Sequence, residues 1–384
     1  LVEQSPLTLD QRKQLQLAKF SFWDESEHTL WIDCRKIFPA LGVVSVPSWD
    51  AMMMSAAKVD AYPSNLQVLA WANTAHINAW RKPIPKWVQE SCALFPTHQL
   101  SLLHYAGKYP QMLELLDNSP MLAWRLVSAG LSEPEVVGLL GGKRQLMAKQ
   151  MGWPGKDETI RFLRNLRLRI VNDDIAQQVE VCLMDEQRLN ALQTLPRINS
   201  MALSLAARFP ELIGCRLHMA LAQLPCRPMQ CKSMVELLED AYALADYLGL
   251  SPAELKNIGE CRYLIEVSQL YQGWLTQALQ GLEVKALNPQ RLSAQPTVLH
   301  RNDWHALSVL QQHAWWVNVD GEPVEGESTA NTQPCHLLAW QDEEGVWAAL
   351  IDATNKVLKV RGLDNVLAGS KQLTQVHLWQ AGQL

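Results

Sequence analysis

Four groups of residues in this chain have the types and spacing to do chemistry. The densest is "WHALSVLQQHAWWVNVDG", Trp304 to Gly321, with two histidines and three tryptophans in eighteen residues. His305 and His313 lie eight positions apart. On one helix that is about 12 Å of rise and about 80° of rotation, so the two imidazoles cannot share a metal ion. A general base at His313 would need an acid or a cation to orient it. Asp303, Asp320 and Arg361 are the candidates for that partner, which makes His313, Arg361 and Asp320 the candidate catalytic set. The bland alternative is a buried histidine on the inward edge of the helix, beside Ala306, Val309 and Leu310. The structural role is the expected one. Cys335-His336 has the residue types of a nucleophile and its base, but neighbours on a strand point to opposite faces. Cys226 and Cys231 are spaced like half a zinc site, and no second pair follows. No metal and no cofactor is expected.

The fourth group is basic. "GGKRQLMAKQMGWPGKDETIRFLRNLRLR" carries Lys156, Arg161, Arg164 and Arg167 among eight cations, against Asp157 and Glu158. Three-residue spacing puts Arg161, Arg164 and Arg167 on a slowly drifting helix stripe beside Trp153, a form able to follow a phosphate backbone. A solvated helix face gives the same pattern. Phosphate-loop, dinucleotide, zinc-protease and nucleophile-elbow motifs are not found.

The elements that must position these groups fall into three stretches. The chain has 384 residues, 48% apolar and 19% charged, with a net charge of −5. That suits a folded chain of two or more domains, without a general attraction to nucleic acid or anionic membrane. From Thr297 onward ten acids face five bases, so the surplus acid lies there. Eight cysteines in mostly apolar settings fit a reducing, cytoplasmic compartment. No run is apolar enough to cross a bilayer, and the start does not read as a signal peptide.

Residues 1–60 read as a short helix and a hairpin, "FSFWD" and "TLWIDC" around the turn "ESEH". Residues 61–287 read as a helical domain of nine to twelve helices. Apolar residues recur there at three and four, and Ser-x-x-Glu/Gln boxes start at Ser64, Ser132, Ser233 and Ser251. "NSP" at Asn118–Pro120 is a further start. No period of 30–45 residues marks a repeat array. "NPQRLSAQPTV", Asn288 to Val298, reads as a linker. Residues 297–384 then form an α+β domain. A helix through "DWHALSVLQQHA" leads to a strand at "WWVNVD", a polar loop, and the strands "HLLAWQD", "GVWAALID" and "KVLKVRG". In the last strand, Leu358 and Val360 take one face and Lys359 and Arg361 the other, which reads as solvated. The expected fold is mostly α: a helical array, then a small antiparallel sheet packed with a helix.

Three segments carry a resemblance. "LQQHAWWV" is similar to a helix end with His-Cys, "VWAALIDATNKVLKVRGLDN" to a strand meander closing on Arg-Gly-x-x-Asn, and "NSPMLAWRL" to a long helical region. Together they resemble the PcfJ-like proteins, named after a protein of a conjugative plasmid. His313, Arg361, Gly362 and Asn365 match, while Ala314 stands where the cysteine would be. The resemblance implies a bacterial cytosolic protein linked to mobile elements, with no established activity to transfer. Three function classes follow. The first is a non-enzymatic interaction scaffold with another protein as partner. The second is a nucleic-acid-associated protein using Lys156, Arg161, Arg164 and Arg167. The third is an enzyme or decayed enzyme around His313. No membrane is expected as a partner.

Overall fold

The computed structural model describes residues 9–54, 59, 62–71, 73–225, 228–280, 282–317, 335–352 and 354–382. They form a mostly α protein with an α+β C-terminal region. Contacts divide the chain into two compact units, one over most of Leu7–Gly214 and the other over Arg227–Leu384, with the division in and around a helix at Arg216–Gln223.

In the first unit, helices α1 to α13 lie between Leu9 and Arg208. Strands β1 (Ser21–Asp24), β2 (Thr29–Asp33) and β3 (Val43–Pro47) form an antiparallel meander in that order. The hairpin expected at "FSFWD" and "TLWIDC" is present; β3 is an addition that its short Val-Val-Ser-Val run did not announce. Leu30, Ile32 and Val46 join the same apolar core as the helices, so the meander is not a separate body. Fifteen α-helices occupy Ala75–Leu279 among the described residues, more and shorter than expected. Proline ends or starts many of them: Pro110 and Pro120 open α6 (Pro110–Asn118) and α7 (Pro120–Ser128) at the first helical position, where the missing N–H costs nothing. Capping boxes form at Ser132 and Ser251, where each Ser N–H donates at 2.8 Å to the glutamate at the third helical position. Ser64 starts no helix, and Ser233 lies inside one.

In the second unit, α14 (Arg216–Gln223) precedes α15 (Pro228–Tyr247), α16 (Pro252–Glu260), α17 (Leu264–Leu279), α18 (Trp304–Gln311) and α19 (Ser370–Gln380). Strands β4 (Thr297–Val298), β5 (His336–Asp342), β6 (Gly345–Ile351) and β7 (Val357–Arg361) form one antiparallel sheet in chain order. The last three are the strands read from the sequence. β6 is buried along nearly its whole length, as a central strand should be. "NPQRLSAQPTV" does not behave as a linker. It ends in β4, Ser293 accepts a backbone hydrogen bond from Gln341 (2.8 Å), and Leu287 donates one to Ala306 (2.9 Å). α15 and α17 thus belong with the sheet, while the sequence reading placed them in the helical domain. The strand expected at "WWVNVD" is not seen: Trp315 and Trp316 lie in a turn, and Asn318 to Asp320 fall outside the described residues.

Candidate functional site

The residues that gather at one place in the C-terminal unit come from α15, α17, β7 and the turn after α18. On α15, Glu236 and Asp240 are four residues apart, which sets them about 6 Å apart on one helix face. On β7, Lys359 and Arg361 are two residues apart, about 6.8 Å along the same face of the strand. The two spacings match, and the groups meet. Lys359 Nζ bonds Asp240 Oδ1. Arg361 Nη2 lies 2.8 Å from Glu236 Oε2 and 4.0 Å from Asp240 Oδ2. The face of β7 read as solvated is therefore the charged interior face: Arg361 is 3% exposed, while Leu358, on the supposed inner face, is 46% exposed. The reason is α15, whose two acids cover the strand.

His313 reaches the same cluster from the end of α18. The helix stops at Gln312, which takes a left-handed conformation (φ 54°) and turns the next residue inward. Ser308 fixes the turn. Its hydroxyl donates to the Trp304 carbonyl at 2.8 Å and accepts from the Trp315 N–H at 3.1 Å. Gln311 ties it to the sheet through the Val346 and Arg361 carbonyls and accepts from Trp315 Nε1 at 2.8 Å. His313 is buried at the helix end, as expected of a histidine on the inward edge, but it leads into a turn at Trp315 and Trp316 and not into the expected strand. The tryptophans diverge: Trp315 meets the His313 ring edge-on at 4.5 Å, whereas Trp316 packs on His305 at 4.5 Å. They form no shared stacking platform.

The ring nitrogen Nδ1 of His313 lies 3.3 Å from the Tyr271 hydroxyl and 3.6 Å from Asp240 Oδ2. The Tyr271 oxygen accepts from the Ala314 N–H at 2.8 Å and keeps its own proton to donate to a neutral Nδ1. In that arrangement the imidazole is neutral and carries its proton on Nε2. Burial pushes its pKa down to about 3; Asp240 partly offsets this, and the Lys359 and Arg361 cations add to the lowering. Burial also raises the Tyr271 phenol, with Asp240 adding to it. Asp240 goes the other way. Burial alone would raise its carboxyl, but Lys359, with His313 and Arg361 adding to it, holds it below the ordinary range. At neutral pH the imidazole is uncharged, so its contact with Asp240 is not an ion pair.

The outer side of this cluster forms the floor of an open cleft of about 630 Å³. Glu236, Asp240 and Arg361 line the floor. Leu237, Trp347 and Val366 to Ala368 supply an apolar wall, with Glu344, Lys371 and Gln372 opposite. The lip is the turn Gly362 to Asn365. A Cβ on Gly362 would stand 2.9 Å from the Trp347 ring, so only glycine lets the chain pass. Asp364 (φ 52°) and Asn365 (φ 59°) are consecutive left-handed residues. The Gly362 N–H donates to the Val366 carbonyl at 2.8 Å and closes the turn. Trp347 is fixed in turn by Nε1, which donates to Asp342 at 3.0 Å.

The remaining sequence candidates do not converge. His313 does not line the cleft, although Asp240 links it to Arg361. Asp320 lies outside the described residues, and Asp303 stands at the opposite end of α18 from His313. Cys335 and His336 open β5; the Cys335 thiol is pushed up by burial, away from thiolate. Cys226 falls outside the described residues. In the first unit, α10 (Asp157–Asn165) ends before Arg167, whose guanidinium turns back to the Arg164 and Leu166 carbonyls (2.6 and 2.8 Å). Lys156 pairs with Glu186 at 3.0 Å, and Trp153 is buried under Arg125. Arg161, Arg164 and Arg167 are all exposed, but only Arg161 and Arg164 lie on the helix, which stops two residues before Arg167.

Glu236, Asp240, Lys359 and Tyr271 were missed by sequence reasoning. A signal existed: Asp240 sits among Leu237, Leu238, Ala241, Ala243 and Leu244, and an acid carried into an apolar helix stripe needs a buried partner. Among the described residues no group of His, Cys, Asp and Glu could hold a metal ion, and no helix is long and apolar enough to cross a membrane. Comparison of the chain with family models, with curated proteins and with solved structures finds no match.

Proposed function

We propose that the C-terminal unit is a non-catalytic interaction module and that the cleft beside Arg361 is its recognition site. The carrying observation is the Gly362–Asn365 lip. Two consecutive non-glycine residues in left-handed conformation cost free energy, and such strain persists where the surroundings over-determine it. Here Trp347, the Gly362–Val366 bond and the buried ion cluster hold it at the rim of a cavity large enough for a side chain or a short peptide. The ion cluster works as a rigid floor. Each of its charges has a counter-charge within reach, and its histidine is neutral and faces away from the cleft lining, which supports binding over proton transfer. A protein partner follows from the mixed apolar and polar lining. A bacterial cytoplasmic setting and PcfJ-like kinship are part of the same proposal; it suits the seven described cysteines, none of which forms a disulfide.

Panning a random peptide library on the full chain tests this. Peptides that bind should lose binding to V366W, because Val366 is half-exposed and lines the cleft, and an indole there would fill it. Selected peptides that bind V366W as well as the parent protein place recognition elsewhere and reject the proposal.

A further inference from the structure

Taking the cleft as the recognition site, its charges choose among occupants. Four acids line it, Glu236, Asp240, Glu344 and Asp364, against two bases, Arg361 and Lys371. Each base is already matched: Arg361 by Glu236 at 2.8 Å, and Lys371 by Glu344 at 3.4 Å. The start of α19, where an anion would otherwise settle, is also served from within, since Gln372 just inside it donates to Glu344 at 2.8 Å. Asp240 takes Lys359 on one oxygen. Asp364 at the lip has no ion-pair partner among the described residues, so one negative charge is left over.

The floor shows the same imbalance in hydrogen bonds. Asp240 is buried, with its side chain 3% exposed, and its Oδ2 receives no hydrogen bond among the described residues. Asn365 Oδ1 is buried in the same state at the lip. A buried acceptor without a donor is costly and uncommon. What is missing from the cleft is positive charge and N–H donors, beside an apolar wall.

We infer that the cleft takes a lysine or arginine side chain of a partner polypeptide, with a neighbouring apolar residue against Trp347 and Val366. The cationic head pairs with exposed Asp364 at the lip and is drawn there by the unmatched acceptors beneath it. This inference rests on the proposed role of the cleft, and its test separates the two. N-acetyl-Leu-Arg-amide and N-acetyl-Leu-Glu-amide are titrated into the ¹⁵N-labelled full chain, and amide shifts are followed. The arginine probe should shift residues around Asp364 to Gln372 and bind about tenfold more tightly than the glutamate probe, a difference of one charge-assisted contact. D364N keeps a residue that tolerates left-handed backbone, and it should weaken the arginine probe by about two- to fivefold, as loss of an exposed charge contact does. Raising salt from about 0.05 to about 0.5 M should weaken it as well. If the glutamate probe binds the same residues as tightly, or D364N changes nothing, the cationic occupant is wrong while the cleft stands. If neither probe shifts these residues up to about 20 mM, beyond the range expected for ligands this small, the cleft itself is wrong.

Discussion

Replacing His313 by Gln should change how stability depends on pH more than it changes stability at pH 7. The folded pKa is about 3, against an ordinary value of 6.5, because burial disfavours the imidazolium. A histidine with a depressed folded pKa stabilises the fold while it is neutral in both states. As pH falls below 6.5 the unfolded chain takes up a proton that the folded chain refuses. Stability then falls by about 1.4 kcal/mol per pH unit until the folded pKa is reached. Between pH 6.5 and 4.5 this one residue removes about 2 to 3 kcal/mol. Gln can still accept from Tyr271, yet it loses the fit and the ring contact with Trp315. H313Q should therefore be about 1–3 kcal/mol less stable at pH 7.5. The gap should close by pH 4.5, because Gln has no proton to gain. Urea unfolding of both proteins at four pH values, followed by amide exchange near Ala314 to report this unit, measures the gap. Parallel stability curves from pH 7.5 to 4.5 would mean that the imidazole titrates normally, and the buried, neutral assignment would be lost.

Further outcomes follow from the same cluster. R361M should cost about 3–5 kcal/mol, because it leaves Glu236 and Asp240 facing one another with Lys359 as their remaining cation; a loss under about 1 kcal/mol in urea unfolding would mean that the pair is wet. G362A should cost about 1–3 kcal/mol by pressing a methyl group into the Trp347 ring, read as a lowered midpoint at unchanged slope. A fragment starting at residue 297 should give poorly dispersed amide spectra. One starting at residue 215 should be well dispersed, because α15 and α17 cover the charged face of β7; a folded 297–384 fragment would restore the linker boundary.

Local structure was legible where one period dominates. β7 follows from its alternation, β5 and β6 from short apolar runs set off by the "EEG" and "ATN" turns, and the Ser132 and Ser251 starts from reciprocal caps. Partners distant in sequence were not legible. Lys359 and Arg361 alternate with Leu358 and Val360 as a solvated strand would, and nothing within β7 tells that two acids 119 and 125 positions earlier will cover them. The same long range hid the unit boundary, since α17 meets His313 and Ala314 through Tyr271, more than forty positions away in the sequence. Arg167 shows the converse failure. Three-residue spacing carries no information on where a helix ends, and α10 ends because Leu166 and Arg167 pair with Ile198 instead.

The most direct test is one titration of the full chain, with ¹⁵N-labelled histidine rings and backbone amides, by a peptide selected for binding, repeated from pH 5 to 8. A recognition cleft on a rigid, non-catalytic floor predicts peptide-dependent shifts at Asp364, Val366 and Gln372. It also predicts a His313 ring that stays neutral and protonated on Nε2 at every pH, with or without peptide. Silent cleft amides, or a His313 ring that titrates between pH 6 and 7 when peptide is bound, would contradict it.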